Sequence, residues 1–117
     1  MKDASVDALL SALANSSRRR MLDLLMAHPG MSVKALASHF DTSRVAVLKH
    51  VDVLEEVELV VSKKEGRTRH LFFNAVPIQL LHDRWTSHYG AFWSQRMVDV
   101  KSRLEGRAAR RKGSKGA

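Results

Sequence analysis

The chain has 117 residues, of which 20 are Lys or Arg and 12 are Asp or Glu, and it contains no cysteine. This length fits one domain with a modest core. The lack of cysteine excludes disulfides, thiolate nucleophiles and the commonest structural zinc sites. No apolar run is long enough to cross a membrane, and the amino terminus lacks the pattern of a secretory signal. We therefore expect a cytoplasmic protein with no membrane partner.

Positive charge is concentrated at the end of the chain. Residues 107–117 hold five basic side chains and no acidic one, whereas residues 1–106 carry 15 basic and 12 acidic side chains. This contrast predicts a single domain over residues 1–106 and a basic tail over residues 107–117. Such a tail either keeps the chain end solvated or attracts phosphate groups without sequence preference.

The spacing of aliphatic residues predicts four helices in the first half of the chain. The first helix has one apolar face, formed by Val6, Leu9, Leu10 and Leu13. Asn15-Ser16-Ser17 offers N-cap chemistry for a second helix, which ends by the helix-breaking His28-Pro29-Gly30. A third helix begins at the N-cap Ser32 and, after a tight turn at residues 40–42, a fourth spans about residues 43–57.

The fourth helix has an inner and an outer face. Val47, Val51 and Leu54 follow the i, i+4, i+7 spacing of a buried stripe. Its outward positions near the start are Ser43, Arg44, Val45, Leu48, Lys49 and Asp52. Basic residues thus occupy the first half of this helix and acidic residues the second, which favours contact between its first turns and phosphate groups.

The pattern then changes to two strands and a last helix. Residues 59–64 and 68–73 are rich in β-branched and aromatic side chains, and Glu65-Gly66-Arg67 between them is typical of a hairpin turn. Pro77 suits the first turn of a helix, which we expect to continue over about residues 77–105. The fold class is therefore mainly α with a two-stranded β-wing, in the order α-α-α-α-β-β-α.

Two short helices joined by a tight turn and followed by a basic hairpin form a winged helix-turn-helix arrangement. The major groove of double-stranded DNA admits one helix, whose first turns reach the base edges. We therefore expect DNA contacts from Ser43, Arg44, Val45, Leu48, Lys49, His50, Lys63, Lys64, Arg67 and Arg69. The alternatives are solvated charges, a charged strand edge and, for His50, packing between helices.

Residues 43–56 resemble the pattern S-x-x-x-V-S-K-H-L-x-x-L-x-x-A-G-L-V of ArsR-type winged-helix regulators. Residues 13–18 and 21–25 are similar to the L-A-D-P-T-R and I-L-x-L-L of that family, and residues 65–67 to its wing tip. The likeness extends over about residues 6–105, and this member lacks the family's metal-binding cysteines. It implies a homodimeric DNA-binding transcriptional regulator, in most cases a repressor, that pairs through its first and last helices.

The last helix carries a long apolar stripe that a winged domain of this size cannot cover alone. We therefore expect a two-fold homodimer whose interface contains Leu9, Leu13, Leu81, Trp85, Tyr89 and Phe92. In another interpretation, the aromatic residues of this helix line a pocket for an unknown small-molecule effector.

Three residues depart from the family pattern. Leu48 stands where the family usually has Ser, Val51 where it has Leu, and Glu58 where it has Gly. Glu58 falls at a left-handed cap position, where a side chain costs about 1 kcal/mol, so either the helix ends differently or the domain is weakened. The helix phase places Leu48 outside the core, where it predicts a preference for thymine, whose methyl group a leucine can contact.

We predict no cofactor, no metal site and no enzymatic activity. His82, Asp83 and His88 come nearest to a family metal site, but the two histidines point about 120° apart around a helix. The chain has no phosphate-binding glycine loop and no recognisable catalytic set. For residues 18–20, three arginines, we favour a structural ion pair over DNA contact. The alternative function is a protein-interaction or general nucleic-acid-binding module without operator specificity.

Overall fold

The computed structural model of the protein describes residues 1–86 and 91–115, with side chains placed for residues 1–86 and 96–109. Its elements are α1 (Asp3–Leu13), α2 (Ser16–Ala27), β1 (Met31–Ser32), α3 (Val33–Ala37), α4 (Arg44–Glu56), β2 (Val60–Glu65), β3 (Thr68–Phe73), α5 (Val76–Thr86) and α6 (Ala91–Lys115). The chain divides into two compact units, residues 1–83 and residues 84–117. Within the described ranges, no helix is both long and apolar enough to cross a membrane.

Side-chain caps set the starts of three helices. Asn15, Ser32 and Ser43 each accept a hydrogen bond of 3.0 to 3.1 Å from the backbone amide three residues later. These oxygens satisfy amides that have no acceptor within the first turn of a helix. The predicted starts of the second, third and fourth helices are confirmed.

One apolar core fills the first unit. Its most deeply buried side chains are Leu9, Met21, Leu25, Leu36, Val47, Val51, Leu54, Leu59, Val60 and Leu71. The inward row predicted for α4 is confirmed, since Val47, Val51 and Leu54 are fully buried. Leu9, which we predict at a dimer interface, is only 1% exposed. Because α1 packs against α2 of its own chain, Leu9 belongs to the core.

The described part of the chain contains a three-stranded antiparallel sheet in the order β1-β3-β2. β2 and β3 pair in register, with Glu65 opposite Thr68 beside the turn. The turn has Gly66 at its first central position with φ +61°, as a type II′ hairpin turn requires. β1 pairs with β3 through Met31 and Leu71 and is absent from the predicted order, because two residues carry no periodic pattern.

α4 ends in a Schellman motif. Glu58 N donates to Glu55 O and Leu59 N donates to Leu54 O, both at 2.9 Å. Glu58 has φ +63°, the left-handed conformation that favours glycine. Asn74 supports this turn, because its Nδ2 donates to Glu58 O at 2.8 Å and its backbone N donates to Leu59 O at 2.9 Å. The helix therefore ends where the family has glycine, and Glu58 adopts the strained conformation.

The predicted last helix corresponds to two described elements, α5 and α6. Residues 87–90, through which we expected the helix to continue, lie outside the described residues. α6 runs through Gly106 to Lys115, beyond the helix end expected near residue 105. A single glycine costs about 1 kcal/mol in a helix and does not by itself end it. The domain boundary at residue 106 stays a prediction.

Candidate nucleic-acid interface

α4 presents a continuous exposed face opposite its buried row. Val45, Lys49, Asp52 and Glu56 are all exposed. At 100° per residue they lie about 140–200° around the helix from the buried Val47. The positive end of the helix dipole and Lys49 both lie toward the start of this face, which suits an approach to negatively charged DNA.

A groove lies beside this face, between α3, the start of α4 and the wing. The wing consists of β2, β3 and the turn between them. The groove is lined by Ser32, Val33, Lys34, Arg44, Leu48, Arg67, Thr68 and Arg69, and we call it the basic groove. Lys34, Arg44 and Arg67 bring positive charge to it from α3, α4 and the hairpin turn. Cations that surround a groove concentrate a field that attracts phosphate groups.

Lys34 is a lining residue that the sequence analysis missed. It is exposed on α3, two residues after the N-cap Ser32. Its place in the basic groove depends on how α3 packs against α4, and residue spacing along the chain does not specify that packing. A basic residue in the first helix of the helix-turn-helix pair was the one signal available.

The structure corrects the position of Leu48. The helix phase predicts this side chain outside the core, but it is half-buried and packs against the core while it lines the basic groove. Leu48 lies about 100° around the helix from Val47, which turns it sideways toward the wing rather than outward. The thymine preference assigned to Leu48 therefore loses its structural basis.

The predicted wing contacts differ in their protein partners. Arg69 Nη2 forms an ion pair with Glu55 Oε1 of α4, and both side chains are about one-third exposed. Lys63 Nζ lies 3.8 Å from a carboxylate oxygen of the wing itself. Lys64 and Arg67 are exposed. The Arg69–Glu55 pair holds β3 against α4 and offsets the charge of Arg69 within the protein.

Arg18 and Arg19 close the C-terminal end of α1. Arg18 Nε donates to Ala12 O at 2.7 Å and its Nη2 donates to Ser11 O at 3.1 Å. Arg19 Nη1 donates to Leu13 O at 2.7 Å. The last carbonyls of a helix have no amide partner and carry partial negative charge. These bonds to carbonyls take the place of the predicted ion pair.

His50 lies where α4 meets the same arginine. Arg18 Nη1 donates to His50 Nδ1 at 3.4 Å, and the imidazole is half-buried. Because a guanidinium only donates, His50 Nδ1 is the acceptor. Of the two interpretations of His50, this geometry favours packing between helices.

Arg20 lies over the ring of Phe40, with its guanidinium carbon 4.9 Å from the ring centroid.

The remaining residues predicted for the dimer interface have different environments. Leu13 and Leu81 are half-buried against the core, whereas Trp85 is exposed. Tyr89 and the side chain of Phe92 lie outside the described residues. Among its exposed apolar side chains, the first unit has Leu10 on α1 and Val76 and Leu80 on α5.

The candidate metal ligands on α5 form local contacts. His82 Nδ1 lies 3.2 Å from Asp83 Oδ1, and Gln79 Nε2 donates to the same oxygen at 2.9 Å. The bond with His82 first, and then that from Gln79, lowers the pKa of the Asp83 carboxyl from its ordinary value. In the part of the chain that is described, no three His, Asp or Glu side chains are grouped to hold a metal ion, and His88 lies outside it.

Known proteins are similar to this chain in sequence and in architecture. A family model described as helix-turn-helix domain matches residues 13–63. YuzN of Bacillus subtilis (strain 168), an uncharacterized HTH-type transcriptional regulator, is 38% identical over 85 residues, which cover 68% of this chain and 92% of YuzN. The transcriptional repressor SdpR of the same organism is 25% identical over 71 residues, which cover 61% of this chain and 78% of SdpR. An ArsR-like transcriptional regulator from Rhodococcus sp. RHA1 has a TM-score of 0.63 and 27% identity over 85% of this chain and 92% of that chain.

These likenesses cover the elements that form the candidate interface. The matched helix-turn-helix segment, residues 13–63, contains α2, α3 and α4 and continues into the wing. The similarity to YuzN extends over nearly the whole of that regulator. With the antiparallel wing following the two helices, the resemblance noted in the sequence is confirmed: the chain belongs to the ArsR-type winged helix-turn-helix family and is a DNA-binding transcriptional regulator.

Proposed function

We propose that two copies of this chain bind a two-fold related site in double-stranded DNA and repress transcription from it. One α4 from each copy enters the major groove, and the two grooves lie about one helical turn apart. The exposed face of α4 supplies the sequence preference, while the basic groove and the wing hold the DNA backbone. The role is one of binding without catalysis, in the cytoplasm, where a regulator must reach its DNA.

The observation that carries this proposal is the position of the basic groove beside the exposed face of α4. Lys34, Arg44 and Arg67 come from α3, the start of α4 and the hairpin turn, yet they line one groove. An isolated charged helix would be solvated, but cations grouped beside an unburied helix face match a helix in the major groove flanked by phosphates.

The groove also divides the candidate contacts by role. Arg44 lies at the start of α4, where it could contact either a guanine or a backbone phosphate. Because it lines the groove together with Lys34 and Arg67, we favour the contact with phosphate. Lys49 lies on the face that meets the base edges. The exposed Ser43 and Lys64 are further backbone contacts in this proposal, whereas Lys63, Arg69 and His50 have protein partners that limit their share.

An apolar groove supports the homodimer. It lies between α1, the end of α4 and α5 and is lined by Met1, Ala4, Ser5, Ala8, Leu9, Ser11, Ala12, Val53, Glu56, Val57, Glu58, Val76, Pro77 and Leu80. Burying apolar surface contributes about 25 cal/mol per Å². We assign this groove to the same surface of a second copy, as in an isologous dimer, rather than to a small-molecule effector.

Repression is supported by the family resemblance and by SdpR, which is a transcriptional repressor. A dimer bound across a promoter blocks access of RNA polymerase, and no further activity of the protein is required for this. A reporter gene placed behind the bound site is expected to fall in expression when the protein is produced, and a rise would identify an activator.

Selection of bound fragments from a random pool of duplex DNA tests the proposal. We expect enrichment of a sequence with two inverted half-sites about 10 base pairs apart from centre to centre. Lys34→Ala is expected to weaken binding to all sequences alike. It should also lower by about one unit the salt slope, that is, the slope of log affinity against log salt concentration, whereas Lys34→Arg should keep the affinity and the slope unchanged. Retention of duplex without any enriched sequence would indicate general DNA binding, and no retention would favour a protein-interaction module.

A further inference from the structure

Val45 is an exposed apolar side chain in the first turn of α4. It is 63% exposed, whereas the other large apolar side chains of this helix are buried or half-buried. It lies about 160° around the helix from Val47, almost opposite the core. The folded chain therefore makes no use of Val45 in its own packing.

Helix formation does not explain this valine either. A β-branched residue is a poorer helix former than alanine, because the helix restricts its side-chain rotamers. The other exposed side chains around it on α4, Arg44, Lys49 and Asp52, are charged. Single exposed apolar side chains are common on protein surfaces; Val45 differs from them because it lies on the outward face of α4 that the proposed function places in the major groove.

The major groove offers one apolar group of suitable size. Its base edges carry hydrogen-bond donors and acceptors, which a valine cannot use, and the C5 methyl group of thymine, which it can contact. We infer that Val45 reads thymine through this methyl group at one base pair of each half-site. The inference rests on the proposed function and assigns the thymine contact to Val45, which points outward, in place of Leu48, which is half-buried against the core.

Uracil in place of thymine tests this contact, because it removes the C5 methyl group and leaves the hydrogen-bonding groups unchanged. Each thymine of the selected duplex is replaced in turn, and the affinity of the full chain is measured. We expect a loss of about fourfold at one position of each half-site, the effect of one methyl-sized group removed from contact.

Variants assign the effect to the side chain. Val45→Ala is expected to bind thymine and uracil equally at that position, and Val45→Thr, which keeps one methyl group, to preserve part of the difference. The control is Val98→Ala, since Val98 is a valine of similar exposure (56%) on α6, and it should leave the difference intact. Thermal unfolding verifies that each variant is folded.

Two results would overturn the inference, and they are distinguishable from failure of the proposed function. If a specific duplex is bound but uracil equals thymine at every position, Val45 contacts no methyl group while the proposed function stands. If Val45→Ala retains the full difference, another residue makes the contact. If no duplex is bound, the proposed function and this inference fail together.

Discussion

Glu58 occupies a position whose left-handed backbone conformation favours glycine. Its φ of +63° is required by the Schellman motif, in which Leu59 N must reach Leu54 O. Burial of both leucines and the bonds from Asn74 hold this conformation against its intrinsic cost. The sequence analysis identified the conflict at residue 58, and the structure shows that the helix end prevails over the preference of the residue.

Replacing this residue by glycine should stabilise the protein. Glu58→Gly removes the strain of the left-handed conformation, and we expect the free energy of unfolding to rise by about 1 kcal/mol. Denaturant unfolding monitored by circular dichroism measures this change, with the midpoint shifted and the slope unchanged.

The control for this substitution is Lys49→Gly, at an exposed residue in the interior of α4. Glycine at that position has only its entropic cost, and the free energy of unfolding should fall by about 0.5–1 kcal/mol. A loss of stability for Glu58→Gly of the same size as for Lys49→Gly would show that residue 58 is not strained.

Single residues differ in how far the sequence predicts their place. The N-caps Asn15, Ser32 and Ser43 are predictable because each bonds to an amide three residues away. Lys34 and Leu48 depend on how the wing and α3 pack beside α4, and local spacing contains no information about that packing. Local spacing therefore located the exposed positions of α4 but not the placement of Lys34 and Leu48 at its sides.

The ion pair of Arg69 with Glu55 joins two elements, the wing and α4. The wing has two further attachments, since His70 Nδ1 donates to Gly30 O at 2.8 Å and β1 pairs with β3. The wing is therefore held in place beside α4 without DNA. The short β1 provides part of this support and is invisible to periodicity, because two residues define no period.

Neutralising Glu55 should strengthen DNA binding. Glu55→Gln removes the carboxylate that Arg69 is paired with, so the arginine becomes available to a phosphate. We expect tighter binding to specific and random duplexes alike and a salt slope steeper by up to about one unit. Affinity measured over a series of salt concentrations tests both expectations.

The control for this variant is Asp23→Asn, an exposed acid of α2 that does not line the basic groove. It changes the net charge equally and should alter the salt slope less. The double variant Glu55→Gln/Arg69→Ala should lose the gain. Equal effects of Glu55→Gln and Asp23→Asn would mean that only overall charge matters.

In the proposed dimer, a second copy of the chain covers the apolar groove. Leu80, which lines this groove, is 52% exposed. Leu80→Glu places a charge on the surface that we assign to the partner, so sedimentation should show a dimer for the natural chain and a monomer for the variant. The Leu80→Glu variant should also bind a duplex with two half-sites more weakly than the natural chain.

The control for the assembly is Met26→Glu, because Met26 of α2 is 62% exposed and does not line the apolar groove. This variant should stay dimeric. A natural chain that sediments as a monomer at tens of micromolar, or a Leu80→Glu variant that stays dimeric, would contradict the assignment of this groove.

In the proposed complex, α4 of each copy enters the major groove of DNA, at two adjacent turns. Methylation interference on the selected duplex tests this placement, because dimethyl sulfate modifies guanine N7 in the major groove and adenine N3 in the minor groove. We expect guanine methylation to block binding in two clusters about one helical turn apart, with adenine methylation in those clusters having the weaker effect. Interference confined to adenine N3, or absent from guanines throughout the bound site, would contradict the account.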